Sequence, residues 1–358
     1  MHILVINPGA TSTKIAVYEE ETEVYSASLP HAPEELSGFS RVVDQLPLRE
    51  GLVRQALAKA GYTPASFDAV CSRGGLVRHI PSGTYAIDDQ VIDDIYNPPF
   101  GEHASSLGPL IARSIANEAK IPAFLVDPVS VDELQPLARV SGLSGMERES
   151  FFHALNQKAV ARKAALDLGK PYEALNLIVV HMGGGVSVAA HEKGRVVDVY
   201  NVKDEGSFSL DRAGGLPVNA LVNLCYSGIT KQDLKRKLSF EAGVFSYLGT
   251  HDFREVEKRM LEGDEKALLV YRAMAYQHAK DIGAMAAVLR FQVDAILLTG
   301  GIANSERFCA EIAGYVEKIA PIHRYPGEEE MRALALGALR VIRGEAAKSY
   351  SETIKNFN

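Results

Sequence analysis

Apolar residues gather in short blocks that end on glycine. Residues 2–7 (HILVIN) run apolar into the tight turn Pro8-Gly9-Ala10-Thr11-Ser12, and a second apolar block, KIAVYE, follows at 14–19. Residues 177–181 (LIVVH) enter Met182-Gly183-Gly184-Gly185, and the chain resumes as VSVAAHEKGRVVDV, which predicts a hairpin turning at Lys193-Gly194. A third block, AILLT at 295–299, ends on Gly300-Gly301 and precedes a predicted helix over 304–319. Spacings of three and four predict helices over 50–60, 105–119, 152–167, 264–290 and 329–347.

Strand, glycine turn, strand therefore occurs twice, which suggests a duplicated α/β unit. Residues 128–145 show little periodicity and are the expected crossing between domains. Strands alternating with helices favour covered mixed sheets over a sandwich or a bundle. A length of 358 residues independently favours two cores over one.

Composition narrows the partners. The chain is 47% hydrophobic and 23% charged, which excludes disorder, and its net charge of −7 gives it no long-range attraction to nucleic acid or anionic lipid. No apolar run reaches the ~20 residues of a membrane span, the N-terminus lacks the features of a secretory signal, and three scattered cysteines make neither a disulfide scaffold nor a zinc site. Small anions in a cytoplasmic setting are the expected ligands.

The candidate chemistry lies at the glycine turns. In Asn7-Pro-Gly-Ala-Thr-Ser-Thr-Lys14, Gly9 can bring backbone N–H groups near an anion, and Thr11, Ser12 and Lys14 add hydroxyls and charge. Taken alone, it is equally a polar turn with Lys14 in water. Gly183, Gly184 and Gly185 are costly in backbone entropy unless something approaches closely, and His181 can donate to a phosphoryl oxygen, although alone it reads as a satisfied core histidine. Arg73, in SRGG, and Arg212, in LDRAGG, suit a carboxylate and a phosphoryl group that must be held together, while each singly reads as a surface arginine. Asp127 and Glu330 are the magnesium candidates, with helix capping the alternative for residues 328–330. Gly300, Gly301 and Asn304 offer a turn at a helix start to a nucleotide, or merely permit the turn.

Together, NPGATSTK, SRGG, FLVDP, HMGGG, SLDRAGG and LLTGGIANS resemble the acetate/butyrate kinase family, within the acetate and sugar kinase, Hsc70 and actin superfamily. The order matches from residue 3 to about 342, and the NPGATSTK and RGGL forms look closer to the butyrate branch. The resemblance implies duplicated ribonuclease-H-like α/β domains with mixed sheets flanked by helices and a central nucleotide cleft. The boundaries expected are 1–147 completed by 331–358, and 148–330.

The resemblance further implies ATP/ADP and Mg2+ as cofactors, a short-chain carboxylic acid and its acyl phosphate as partners, and a homo-oligomer containing dimers. Asn7 would organise transfer, Arg73 and Arg212 would hold acceptor and transferring groups, and Asp127 would position an arginine and help organise magnesium. His181 would sit beside the transferring phosphate, with Glu330 the magnesium carboxylate. Two departures stand out. Gly184 replaces an asparagine of the acetate-kinase pattern, and its HGTSH segment is matched only by His153–Gln157, where no catalytic histidine is assigned and Asn156 or Gln157 is expected to make a polar contact. The competing readings are an acetate, propionate or branched-chain acid kinase, and an ATP-gated binding module without catalysis.

Overall fold

The computed structural model describes residues 1–357. Its strands are β1 (His2–Pro8), β2 (Ser12–Glu19), β3 (Thr22–Pro30), β4 (Ala69–Arg73), β5 (Thr84–Ala86), β6 (Ala123–Val126), β7 (Asn176–Met182), β8 (Val186–Glu192), β9 (Arg195–Val199), β10 (Ala295–Gly300), β11 (Ile322–Pro326) and β12 (Lys348–Ser349). They form two sheets, ordered β12-β5-β6-β4-β1-β2-β3 and β11-β10-β7-β8-β9.

The chain divides into two compact units, Met1–Asp132 with the C-terminal segment from Glu329, and Glu133–Glu328. This moves the expected boundaries from 147/148 to 132/133 and from 330/331 to 328/329. The physical reason for the first shift is that residues 133–148 are bonded into the second unit. The Gln135 N–H donates to Val197 O, Lys158 pairs with Glu133 at 2.6 Å, and Arg148 pairs with Asp198 and Glu205.

In each unit an antiparallel meander (β1-β2-β3 or β7-β8-β9) continues into parallel strands (β4 and β6, or β10 and β11). The duplication expected from the glycine turns is thus a repeated topology. Both faces of the second sheet are covered. Ile178, Val180, Ile296 and Leu298 pack with the helix Glu265–Val288, while Leu177, Val179, Ala295 and Leu297 pack with the helix Ala154–Asp167. Side chains alternate across a strand, so His181 and Thr299 fall on the face of the latter helix.

The first unit repeats this logic. Leu107–Ala119 packs on β1, β4 and β6, and so does the helix Glu330–Ile342. The latter lies close because Gly337 meets Val126, where an added Cβ would come within 2.6 Å of Val126 Cγ2. The C-terminal segment is fastened by β12, which pairs with β5, and by the buried Tyr350, whose hydroxyl donates to Asp94 while accepting from the Arg78 N–H.

Candidate active site

In the first unit β1 ends on Asn7, which faces Lys14 across the β1-β2 turn. The Asn7 amide donates to Glu330 Oε2 at 2.8 Å, and Arg73, at the end of the neighbouring β4, pairs with Glu330 at 2.9 Å. Asn7, Arg73 and Glu330 are thus brought together from two strand ends and a helix start. Arg73 retains partial exposure, 24% of its side chain, as an anion-binding group requires. Asp127 is buried nearby in sequence order at the end of β6, and its Oδ1 accepts from Ser82 Oγ at 2.6 Å and the Gly83 N–H at 2.8 Å. This engagement suits an organising carboxylate better than a direct metal ligand.

The glycines after Arg73 serve packing. A Cβ on Gly75 would lie 1.9 Å from Ser106 Oγ, and one on Gly74 would lie 2.9 Å from Pro128 Cβ. The turn after Asn7 is tight, with the Gly9 N–H bonded to Ser12 O at 2.7 Å; Thr11 and Lys14 are exposed and Ser12 half-buried. Beneath it lies a residue that motif reading missed. Arg49 is 1% exposed, donates to Gly9 O at 2.8 Å, Ala10 O at 3.2 Å and Thr13 Oγ1 at 3.3 Å, and has no carboxylate partner among the described residues. Burial pulls its pKa down. A buried cation bonded only to neutral acceptors leaves positive potential under the turn. The sequence shows it only as an arginine one residue before the helix predicted over 50–60.

In the second unit β7 ends on His181, paired in register with Thr299 of β10 and Ser187 of β8. Its Nδ1 lies 3.2 Å from Asn156 Oδ1 and its Nε2 3.1 Å from Glu328 Oε1. Arg212 reaches the same turn. A Cβ on Gly185 would lie 3.2 Å from Arg212 Nη1, so that glycine admits the guanidinium, which donates to Val202 O at 3.0 Å. Burial lowers the Arg212 pKa, opposed by Asp211, and burial raises that of Asp211.

Gly183 and Gly184 open onto a cavity of about 650 Å³, which Gly301 and Asn304 also line. Its other walls include Leu210, His251, Arg254, Ser305 and Glu328, of which His251 and Arg254 lie outside every motif. The size suits a nucleoside phosphate. Gly300 is buried instead. With φ at +90° and Met182 O 2.3 Å from where its Cβ would be, it lets β10 pass β7 and supports the turn rather than lining the cavity.

Hard oxygen donors fit magnesium, which needs one or two carboxylates plus phosphate and water. Glu330 would supply one, and no group of three or more His, Cys, Asp or Glu converges among the described residues.

Residues 144–325 match the model of the acetokinase family. Over 351 residues the chain is 49% identical to Butyrate kinase 1 of Clostridium acetobutylicum, covering 97% of this chain and 99% of that protein. The chain belongs to the acetate/butyrate kinase family. Solved structures carry the fold at much lower identity. Acetate kinase of Porphyromonas gingivalis matches with a TM-score of 0.78 at 19% identity, covering 95% of this chain and 99% of that one. Acetate kinase of Entamoeba histolytica matches with 0.76 at 13%, with the same coverage. The duplicated ribonuclease-H-like fold expected of an acetate/butyrate kinase is the one observed.

Proposed function

We propose that the protein is a butyrate kinase, converting butyrate and ATP reversibly to butyryl phosphate and ADP. The observation that carries this is near-complete coverage at 49% identity by a protein named Butyrate kinase 1. A butyrate carboxylate oxygen attacks the γ-phosphorus, a P–O bond forms, and the bond to the β,γ-bridging oxygen breaks with its electron pair leaving on ADP. The carboxylate is already ionised at neutral pH, so the chain contributes positioning and charge rather than a strong base.

Arg73, steered by Glu330, takes the acceptor carboxylate, and Arg212 takes the transferring phosphoryl group. His181 donates to the same oxygens. The turn at Asn7–Lys14, with Arg49 beneath it, adds positive potential. The cavity beside Gly183, Gly184, Gly301 and Asn304 takes the nucleoside end of ATP. Glu330 would hold magnesium, with Asp127 organising its surroundings, and the ion would supply neutralisation of phosphate charge.

The test is turnover of acetate, propionate, butyrate and isobutyrate with hydroxylamine trapping of the acyl phosphate. Butyrate and acids of similar size are expected to exceed acetate in kcat/KM by about tenfold, from two methylenes at about 0.8 kcal/mol each. A clear preference for acetate overturns the butyrate assignment and leaves a carboxylate kinase. ATP binding without acyl phosphate from any acid overturns catalysis itself.

No helix among the described residues is long and apolar enough to cross a membrane, and all three cysteines are unpaired, which supports a reducing, cytoplasmic setting. We further propose a homo-oligomer containing dimers. The apolar helix Val218–Cys225 buries none of its residues, with Val218 72% and Val222 47% exposed. Light scattering of the wild type against Val222→Asp checks this; a monomeric wild type removes it.

A further inference from the structure

β12 is two residues long, yet it sets Lys348 against the turn that holds Asp127. β5 and β6 run antiparallel with Thr84 opposite Val126, so Ser82 and Gly83, just before β5, stand beside Asp127, just after β6. Asp127 Oδ1 accepts from the Ser82 hydroxyl and the Gly83 N–H, and the Asp127 N–H donates back to Gly83 O at 3.1 Å. β12 pairs in parallel with the other edge of β5, placing Lys348 opposite Tyr85. That register carries the lysine stem across Gly83, where an added Cβ would lie 2.9 Å from Lys348 Cδ and Cε. The ammonium donates to Ser82 O at 2.6 Å.

The Ser82 carbonyl and the Gly83 N–H belong to one peptide unit. Because that unit is planar, a group that fixes the oxygen also fixes the direction of the N–H. An ammonium on the oxygen further polarises the unit and makes its N–H a stronger donor to Asp127. Asp127 needs such support. Its φ of +38° lies in the left-handed region, where a side chain crowds the backbone and aspartate is tolerated through local hydrogen bonds. A strained residue of this kind keeps its geometry only where its surroundings hold it.

The rest of the tail is fastened elsewhere. Tyr350 bonds Asp94, and the Ser351 N–H donates to Asp88 Oδ2 at 2.9 Å, on the helix Asp89–Tyr96 and its cap. Lys348 is exposed, and exposed charges contribute little to global stability. Its effect is on orientation.

We propose that Lys348 is a positioning residue: it grips the peptide between Ser82 and Gly83 and so aims the N–H that sets the Asp127 carboxylate at the transfer site. The proposal rests on the reading of Asp127 as an organising carboxylate in transfer.

Lys348→Met keeps the stem and removes the donor, and Lys348→Arg restores one. Amide hydrogen exchange of the ligand-free protein tests the grip, and steady-state kinetics with ATP and butyrate test the role. In Lys348→Met the Gly83 and Asp127 amides are expected to exchange about tenfold faster, with the melting temperature within about 2 °C of wild type. A shift of about 0.5 Å at Asp127 should lower kcat about tenfold with KM for ATP within about twofold. Lys348→Arg should recover most of that loss. Tyr350→Phe loosens the tail without touching Lys348, and should lower the melting temperature while leaving kcat within about twofold. Unchanged exchange or wild-type kcat in Lys348→Met overturns the proposal. An equal kcat loss in Tyr350→Phe also overturns it, since docking of the tail would then be the cause. Wild-type kcat in Asp127→Ala overturns the parent reading and the positioning role together. Loss in Asp127→Ala without loss in Lys348→Met overturns the positioning role alone.

Discussion

Gly185→Ala separates the position of Arg212 from its presence. The added methyl would stand 2.8 Å from Val202 Cγ2, 3.2 Å from Arg212 Nη1 and 3.3 Å from Arg212 Cζ. Carbon atoms in contact prefer about 3.5–4.0 Å, so Val202 must retreat by about 0.7 Å and the guanidinium by a few tenths. Val202 cannot retreat alone, because its carbonyl accepts from Arg212 Nη1 at 3.0 Å and carries the arginine with it. Overpacking of this kind costs about 1–3 kcal/mol, which the fold can bear. A misplacement of about 1 Å at a reacting group can cost about 100-fold, so half that shift predicts a loss of about tenfold in kcat.

Gly184→Ala is the control. Its methyl would meet only Asp211 Oδ2, at 3.8 Å, an ordinary contact, so the melting temperature should hold and any loss should fall on KM for ATP. Hydroxylamine-trapping kinetics and thermal melts of both variants give the comparison. Adding Val202→Ala removes the shortest contact and should return stability and part of kcat. Wild-type kcat in Gly185→Ala, or an equal kcat loss in Gly184→Ala, would refute the placement of Arg212 in the transfer step.

Much of the scaffold was legible because its strands are covered on both faces. Continuous apolar runs such as LIVVH and AILLT end on glycine, so β7 and β10 could be read almost to the residue. The strand Thr22–Pro30 could not, because it buries none of its residues on β2 and its TEVYSASLP pattern is half polar. The two-residue β12 and the helix Tyr350–Asn356 are set by a register with β5 and by the Tyr350–Asp94 contact, both far apart in sequence. The crossing expected at 128–145 contains the observed boundary at 132/133, but its residue could not be read, because the segment that follows lacks periodicity and is held by ion pairs, which leave no period to detect.

The site divides in the same way. Glycine turns announce a close approach, and Gly183, Gly184 and Gly301 do line the cavity; they also mislead, since Gly75 and Gly300 serve packing against Ser106 and Met182. Polar residues whose role lies in a partner's orientation carry no local signal. Ser187 looks like an ordinary strand residue until the fold sets it beside His153, whereas Asn156 and Gln157, expected to make a polar contact, meet His181 and Ser187. Arg49 is the clearest case, because it precedes the helix predicted over 50–60, and that periodicity is the same whether the arginine is wet or buried beneath the Gly9 turn.

Arg73→Ala and Arg212→Ala should each lower kcat by two orders of magnitude or more (about 3 kcal/mol in the transition state) while circular dichroism stays native; near-native turnover removes that residue from the mechanism. Arg49→Lys should retain more of the thermal shift induced by ATP than Arg49→Met, because charge rather than shape is what the turn needs; equal shifts in the two would make Arg49 purely structural. The last expectation concerns acid. His278 is fully buried with no hydrogen-bond partner for either ring nitrogen among the described residues, and burial pushes its pKa from 6.5 down to about 3. The unfolded chain therefore binds the proton more readily between those values, so the folded state loses stability as pH falls through 6.5 and keeps losing it toward 3. Linkage makes the loss about 2 kcal/mol at pH 5 relative to pH 8. Asp281, raised by burial to about 6, acts in the opposite sense, and it does so equally in wild type and in His278→Leu. Urea unfolding of the two proteins across pH 5–8 should thus show the variant gaining about 2 kcal/mol on the wild type toward acid; parallel curves would mean that His278 is protonated, or solvated, in the folded protein.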